Sequence, residues 1–93
     1  MRLLYTFRFQ QMGETCLAAA IGQNAHLFNG ILQLNEVGHF IVSELAGLPD
    51  MSEQEIATTL ADRLTKEYAV DLSTAQSAVQ QVLDYLKAEQ VLA

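Results

Sequence analysis

Ninety-three residues with 51% apolar side chains suffice for one domain with a modest core, so 1–93 is read as a single domain. Eleven acidic against five basic residues give a net charge of −6, which argues against a protein that binds nucleic acid by displacing phosphate counterions. A single cysteine, Cys16, excludes an intrachain disulfide, and no Cys/His spacing suits zinc.

Tyr5, Phe7 and Phe9 alternate with Thr6, Arg8 and Gln10, a period of two that predicts an antiparallel strand with one aromatic and one wet face. Gly13-Glu14 offers a tight turn into Thr15 to Ile21. That segment is read as a second strand by its length and its flanking turns, although its alanines favour helix. Its Cys16 to Ile21 run is far shorter than the roughly 20 residues of a membrane helix, and the N-terminus lacks a signal-peptide core. A cytoplasmic protein with no membrane partner is expected.

Asn29-Gly30 is a strong hairpin signal. It either closes a small hairpin between Leu27-Phe28 and Ile31-Leu32 or marks where a long loop enters a third strand, and the second reading is preferred. The third strand then runs from Gly30 to Leu34. Asn35 follows as the N-cap of a helix with Glu36 in its first turn. Val37, Phe40, Ile41 and Leu45 form that helix's apolar stripe, and Gly47 stands where a left-handed residue would close it. Ser52-Glu53-Gln54-Glu55 is a capping box ahead of Ile56, Leu60 and Leu64. Ser73-Thr74-Ala75-Gln76 reads as another, opening a last helix with Val79, Val82, Leu83 and Leu86 inward. The apolar tail Val91-Leu92-Ala93 is expected to return to the core.

The fold class is therefore α+β: a three-stranded antiparallel sheet packed on three helices, resembling a winged helix-turn-helix. No catalytic constellation stands out, so the chain is read as a non-enzyme. His26 and His39 read as solvent-exposed and Cys16 as packing. No calcium loop or phosphate-cradling glycine motif is present, so no metal and no cofactor are expected.

The run from Gly30 to Ile41, with Leu34-Asn35-Glu36-Val37-Gly38 at its centre, resembles the Leu-Asn-x-x-Gly hallmark of the PqqD family. Leu45-Ala46-Gly47, then Glu55, Ile56 and Leu60, then Tyr68-Ala69-Val70-Asp71, then Val79 to Leu92 follow the family's later segments in order. The resemblance spans residues 5–93. Two places depart from it: Leu48-Pro49-Asp50 replaces the common Asp-Gly turn, and Gln90-Val91-Leu92 replaces a final Gly-Leu-Leu.

The resemblance implies a non-catalytic recognition element of ribosomally made, modified peptides. It would bind the leader of a precursor peptide as an added strand and present the peptide to a modifying enzyme, a radical S-adenosylmethionine protein or another peptide-modifying enzyme. Carried onto this chain, the main chain of Phe28, Asn29, Gly30, Ile31, Leu32, Gln33 and Leu34 would pair with the leader. Gln76, Val79, Gln80, Leu83 and Lys87 of the last helix would wall the groove, with Lys87 meeting leader carboxylates. The physics agrees at the edge, since Gly30 to Leu34 carries neither proline nor charge. Proline at Leu32 is the expected probe of it. The alternatives are a winged-helix transcriptional regulator reading DNA through Ser73 to Glu89, and a homodimer joined or strand-exchanged through the same edge.

Overall fold

The structure, a computed structural model, describes residues 1–28 and 30–93. The turn expected at Asn29-Gly30 therefore falls partly outside the described residues. Among the described residues, three strands, β1 (Thr6–Met12), β2 (Thr15–Ile21) and β3 (Ile31–Leu34), precede three helices, α1 (Glu36–Ala46), α2 (Glu53–Tyr68) and α3 (Leu72–Ala88). The strand order is β1-β2-β3, with both pairings antiparallel. The α+β sheet-on-helices fold expected from the sequence is the fold observed.

Gly13 enters the β1–β2 turn at φ +63°, a conformation that suits glycine at the first position of a two-residue hairpin turn. The alanine-rich segment is a strand because of what stands opposite it. Phe7 faces Ala20 and Phe9 faces Ala18, so small side chains make room for large ones on the inner face. Ala18 in turn faces Leu32, and Cys16 faces Leu34. Phe7, Cys16, Ala18, Leu32 and Leu34 are all buried on that face. Between β2 and β3, Ala25–Leu27 form a short 3-10 turn, so Leu27-Phe28 is not a strand partner of β3.

The helices close over the inner face with Ile41, Val42 and Leu45 of α1, Ile56, Leu60 and Leu64 of α2, and Val79, Leu83 and Leu86 of α3. Each fully buried Leu or Ile contributes about 1.5–3 kcal/mol relative to exposure. Asn35 caps α1 as expected, its Oδ1 accepting from the Gly38 N–H at 2.7 Å. Ser52 caps α2 by accepting from the Glu55 N–H. Two terminal readings are corrected. Gly47 is right-handed (φ −90°), its N–H bonding back to Glu44 and Leu45, so no left-handed residue closes α1 there. The N-cap of α3 is Asp71, whose carboxylate accepts from the Thr74 N–H at 2.7 Å; Ser73 is already inside the helix.

The tail does return to the core. Val91 is buried, and Arg2 and Ala93 exchange main-chain hydrogen bonds of 3.0 and 2.9 Å, joining the two ends of the described chain in a short ribbon. His39 departs from its expected exposure. It is half-buried, with its ring centroid 4.5 Å from that of Phe9. Among the described residues, no helix is long and apolar enough to cross a membrane.

Candidate functional site

The sheet order leaves β1 and β3 as its two edges. β3 meets the condition for an added strand, since it has neither proline nor charge along its length. Its orientation follows from one hydrogen bond. The Gln33 N–H donates to the Tyr85 hydroxyl of α3 at 3.0 Å and so points away from β2. Main-chain groups alternate along a strand, which turns those of Ile31 outward with Gln33 and those of Leu32 and Leu34 inward to β2. The outward groups are thus the N–H and C=O of Ile31 and of Gln33, and Tyr85 occupies one of the four.

Beside this edge lies a shallow cavity of about 160 Å³, lined by Gln33, Leu34, Asn35 and Gly38 on one side and Gln81, Val82 and Tyr85 on the other. The Leu-Asn-x-x-Gly run builds its floor. Leu34 turns inward to the core, Asn35 stops the strand and caps α1, and Gly38 admits the cap. A Cβ at Gly38 would stand 3.2 Å from Asn35 Oδ1 and 3.4 Å from Leu34 Cδ2. None of the seven lining residues carries a charged side chain.

The expected site residues do not share one setting. Ile31 and Gln33 present main-chain groups at the edge, while Leu32 and Leu34 belong to the core. Leu32 is 0% exposed, so proline there breaks the β2–β3 ladder and probes folding rather than the edge. Gly30 lies under the Phe28 ring, with a notional Cβ 3.1 Å from Cζ. Phe28 itself precedes the strand. Its N–H bonds to the Ala25 carbonyl, and its ring stacks on Tyr5 and meets Phe7 edge-on. Asn29 lies outside the described residues.

The α3 residues expected to wall a groove do not line this cavity. Val79 and Leu83 are 0% exposed and fill the core. Gln76 and Gln80 share, by helical spacing, the flank of Lys87, and Lys87 is held 2.5 Å from the Glu53 carboxylate of α2. That flank faces α2. The flank facing β3 carries Gln81, Val82 and Tyr85. Val82 and Tyr85 were a partial signal for it, but Gln81 on the same flank is as polar as Gln76 and Gln80, so side-chain character alone left both flanks open. Among the described residues, no three His, Cys, Asp or Glu side chains are grouped to hold a metal ion.

A small antiparallel sheet on three helices, with one uncharged edge open beside the last helix, defines a winged-helix-like α+β domain with an edge groove. A family model described as coenzyme PQQ synthesis protein D (PqqD) matches residues 14–92, and the chain belongs to that family. A solved structure, described as TbiB1 in complex with the TbiA(beta) leader peptide, shares the fold. Its TM-score is 0.64 at 21% identity, covering 99% of this chain and 94% of that one. A search of curated proteins gave no match.

Proposed function

We propose that this chain is a non-catalytic recognition domain that binds the leader of a ribosomally made precursor peptide. The leader adds as a strand along β3, and the domain delivers it to a peptide-modifying enzyme, with a radical S-adenosylmethionine protein as the partner the family suggests. The carrying observation is the outward main chain of Ile31 and Gln33 beside the groove of Gln81, Val82 and Tyr85. Strand addition draws its affinity from such main-chain groups and its selectivity from alternate side-chain pockets. Membership of the PqqD family supports the reading, as does the leader peptide named in the TbiB1 structure. Within the proposed site, Ile31 and Gln33 present the edge, and Val82 and the ring of Tyr85 offer apolar contact.

Ile31→Pro tests this reading. Ile31 is the first residue of an edge strand, is 57% exposed, and has an outward N–H, so proline removes a docking donor without touching the β2 ladder. Fluorescence anisotropy with a panel of precursor leaders, the TbiA(beta) leader among them, should detect binding to the wild type. Ile31→Pro should lose it with an unchanged circular dichroism spectrum, while Lys87→Ala should keep it. Failure of every leader to bind, or full binding by a folded Ile31→Pro protein, rejects strand addition at β3.

A further inference from the structure

The edge of β3 is not left bare. Tyr85 reaches across the groove from α3, 52 residues away in sequence, and its hydroxyl accepts the outward N–H of Gln33 at 3.0 Å. We propose that Tyr85 is a latch on the leader edge: its hydroxyl holds the docking position of Gln33 until a leader carbonyl takes the same N–H. This inference rests on the proposed leader-binding function and adds a residue that sets its strength.

The reason is stoichiometric. A main-chain N–H has one hydrogen, and a strand that pairs at Gln33 must place a carbonyl where the phenol oxygen now stands. The phenol must therefore withdraw, and its bond to Gln33 is subtracted from what the leader gains. Leu34 and Asn35 hold the far end of β3 in place through the core and the α1 cap, so the strand cannot slide to offer Gln33 elsewhere. The side chain is the part free to move. Tyr85 is half-buried and Oη has no other hydrogen-bond partner among the described residues. A latch of this kind also occupies an exposed strand edge that would otherwise invite pairing with a second chain.

Tyr85→Phe removes the hydroxyl and keeps the ring that walls the groove. Loss of one net hydrogen bond that competes with the leader should tighten binding about twofold to tenfold. In the free protein, the Gln33 amide should exchange with deuterium faster in Tyr85→Phe than in the wild type. In the leader complex, both proteins should protect it equally. A folded Tyr85→Phe protein that binds a leader no better than the wild type, or more weakly, overturns the latch and makes the tyrosine a plain brace between α3 and β3. Unchanged exchange at Gln33 in the free protein overturns it as well. If the wild type binds no leader at all, the leader-binding function itself fails, an outcome separate from a wild type that binds and a variant that does not improve.

Discussion

Gln90 occupies a conformation that belongs to glycine. Its φ is +61°, and it closes α3 in a Schellman arrangement, with Gln90 N–H to Lys87 and Val91 N–H to Leu86. Val91 and Leu86, the two residues that such a motif brings together, are both fully buried. This is the position where the chain departs from the final glycine of the PqqD pattern, and the geometry supplies the reason for that glycine. An L-residue there carries a Cβ too near its own carbonyl, while its exposed side chain makes no hydrogen bond among the described residues. Gln90→Gly should therefore stabilise the fold by about 1 kcal/mol, a rise in Tm of roughly 4–8 °C. A lower Tm in calorimetry would show that the backbone entropy of glycine outweighs the relieved strain. At the start of α1 the residues suit their places: one amide oxygen at Asn35 and one missing Cβ at Gly38 turn a strand into a helix within four residues.

At the scale of elements, periodicity revealed most of the architecture. The aromatic alternation of β1, the Asn35 cap and the apolar stripes of the helices each have one satisfactory reading, and the structure follows it. The site was less legible because a helical period gives the angle of a stripe and not the hand in which the helix is laid on the sheet. Val79 and Leu83 mark the centre of the buried face of α3, yet either flank was available for the groove until the chain's path was known. The Tyr85–Gln33 bond joins residues that no local pattern connects. The start of α3 was ambiguous for another reason: Asp71 and Ser73 are both good caps, and the helix extends to the earlier one. That cap makes α3 sensitive to pH. The hydrogen bonds from Thr74 hold the Asp71 carboxyl below its ordinary value. A lowered pKa in the folded state means that the cap stabilises the protein above about pH 4, the unfolded value, and that this is lost as pH falls through the folded value. Asp71→Asn keeps a capping oxygen that does not titrate, so its Tm should fall less than that of the wild type between neutral pH and pH 3. Equal falls would mean that the cap does not couple to folding.

For the molecule as a whole, charge and site are separated. The chain carries a net −6, yet the groove is lined by neutral side chains, and the lysine nearest in sequence to Tyr85 is committed to Glu53. A DNA-reading role for α3 fares badly on the same ground, since the helix also bears Asp84, with Glu89 at its C-cap. A homodimer formed through β3 would use the groups proposed for the leader, so the two associations should exclude each other.

The neutrality of the groove has a kinetic consequence. Ionic strength acts on charges that approach through solvent, and much less on uncharged groups already in contact. An acidic leader should meet this chain slowly at low salt and faster as salt screens the repulsion; a basic leader should do the reverse. Once docked, either should leave at nearly the same rate whatever the salt, within about twofold, because hydrogen bonds and apolar contact set the residence time. Stopped-flow measurements at low and high salt separate the two rates. A dissociation rate that climbs about tenfold with salt would mean that an ion pair forms in the complex, with Lys87 released from Glu53 as the first candidate. On this view the acidic surface governs how often a leader arrives, and β3 with its groove governs how long it stays.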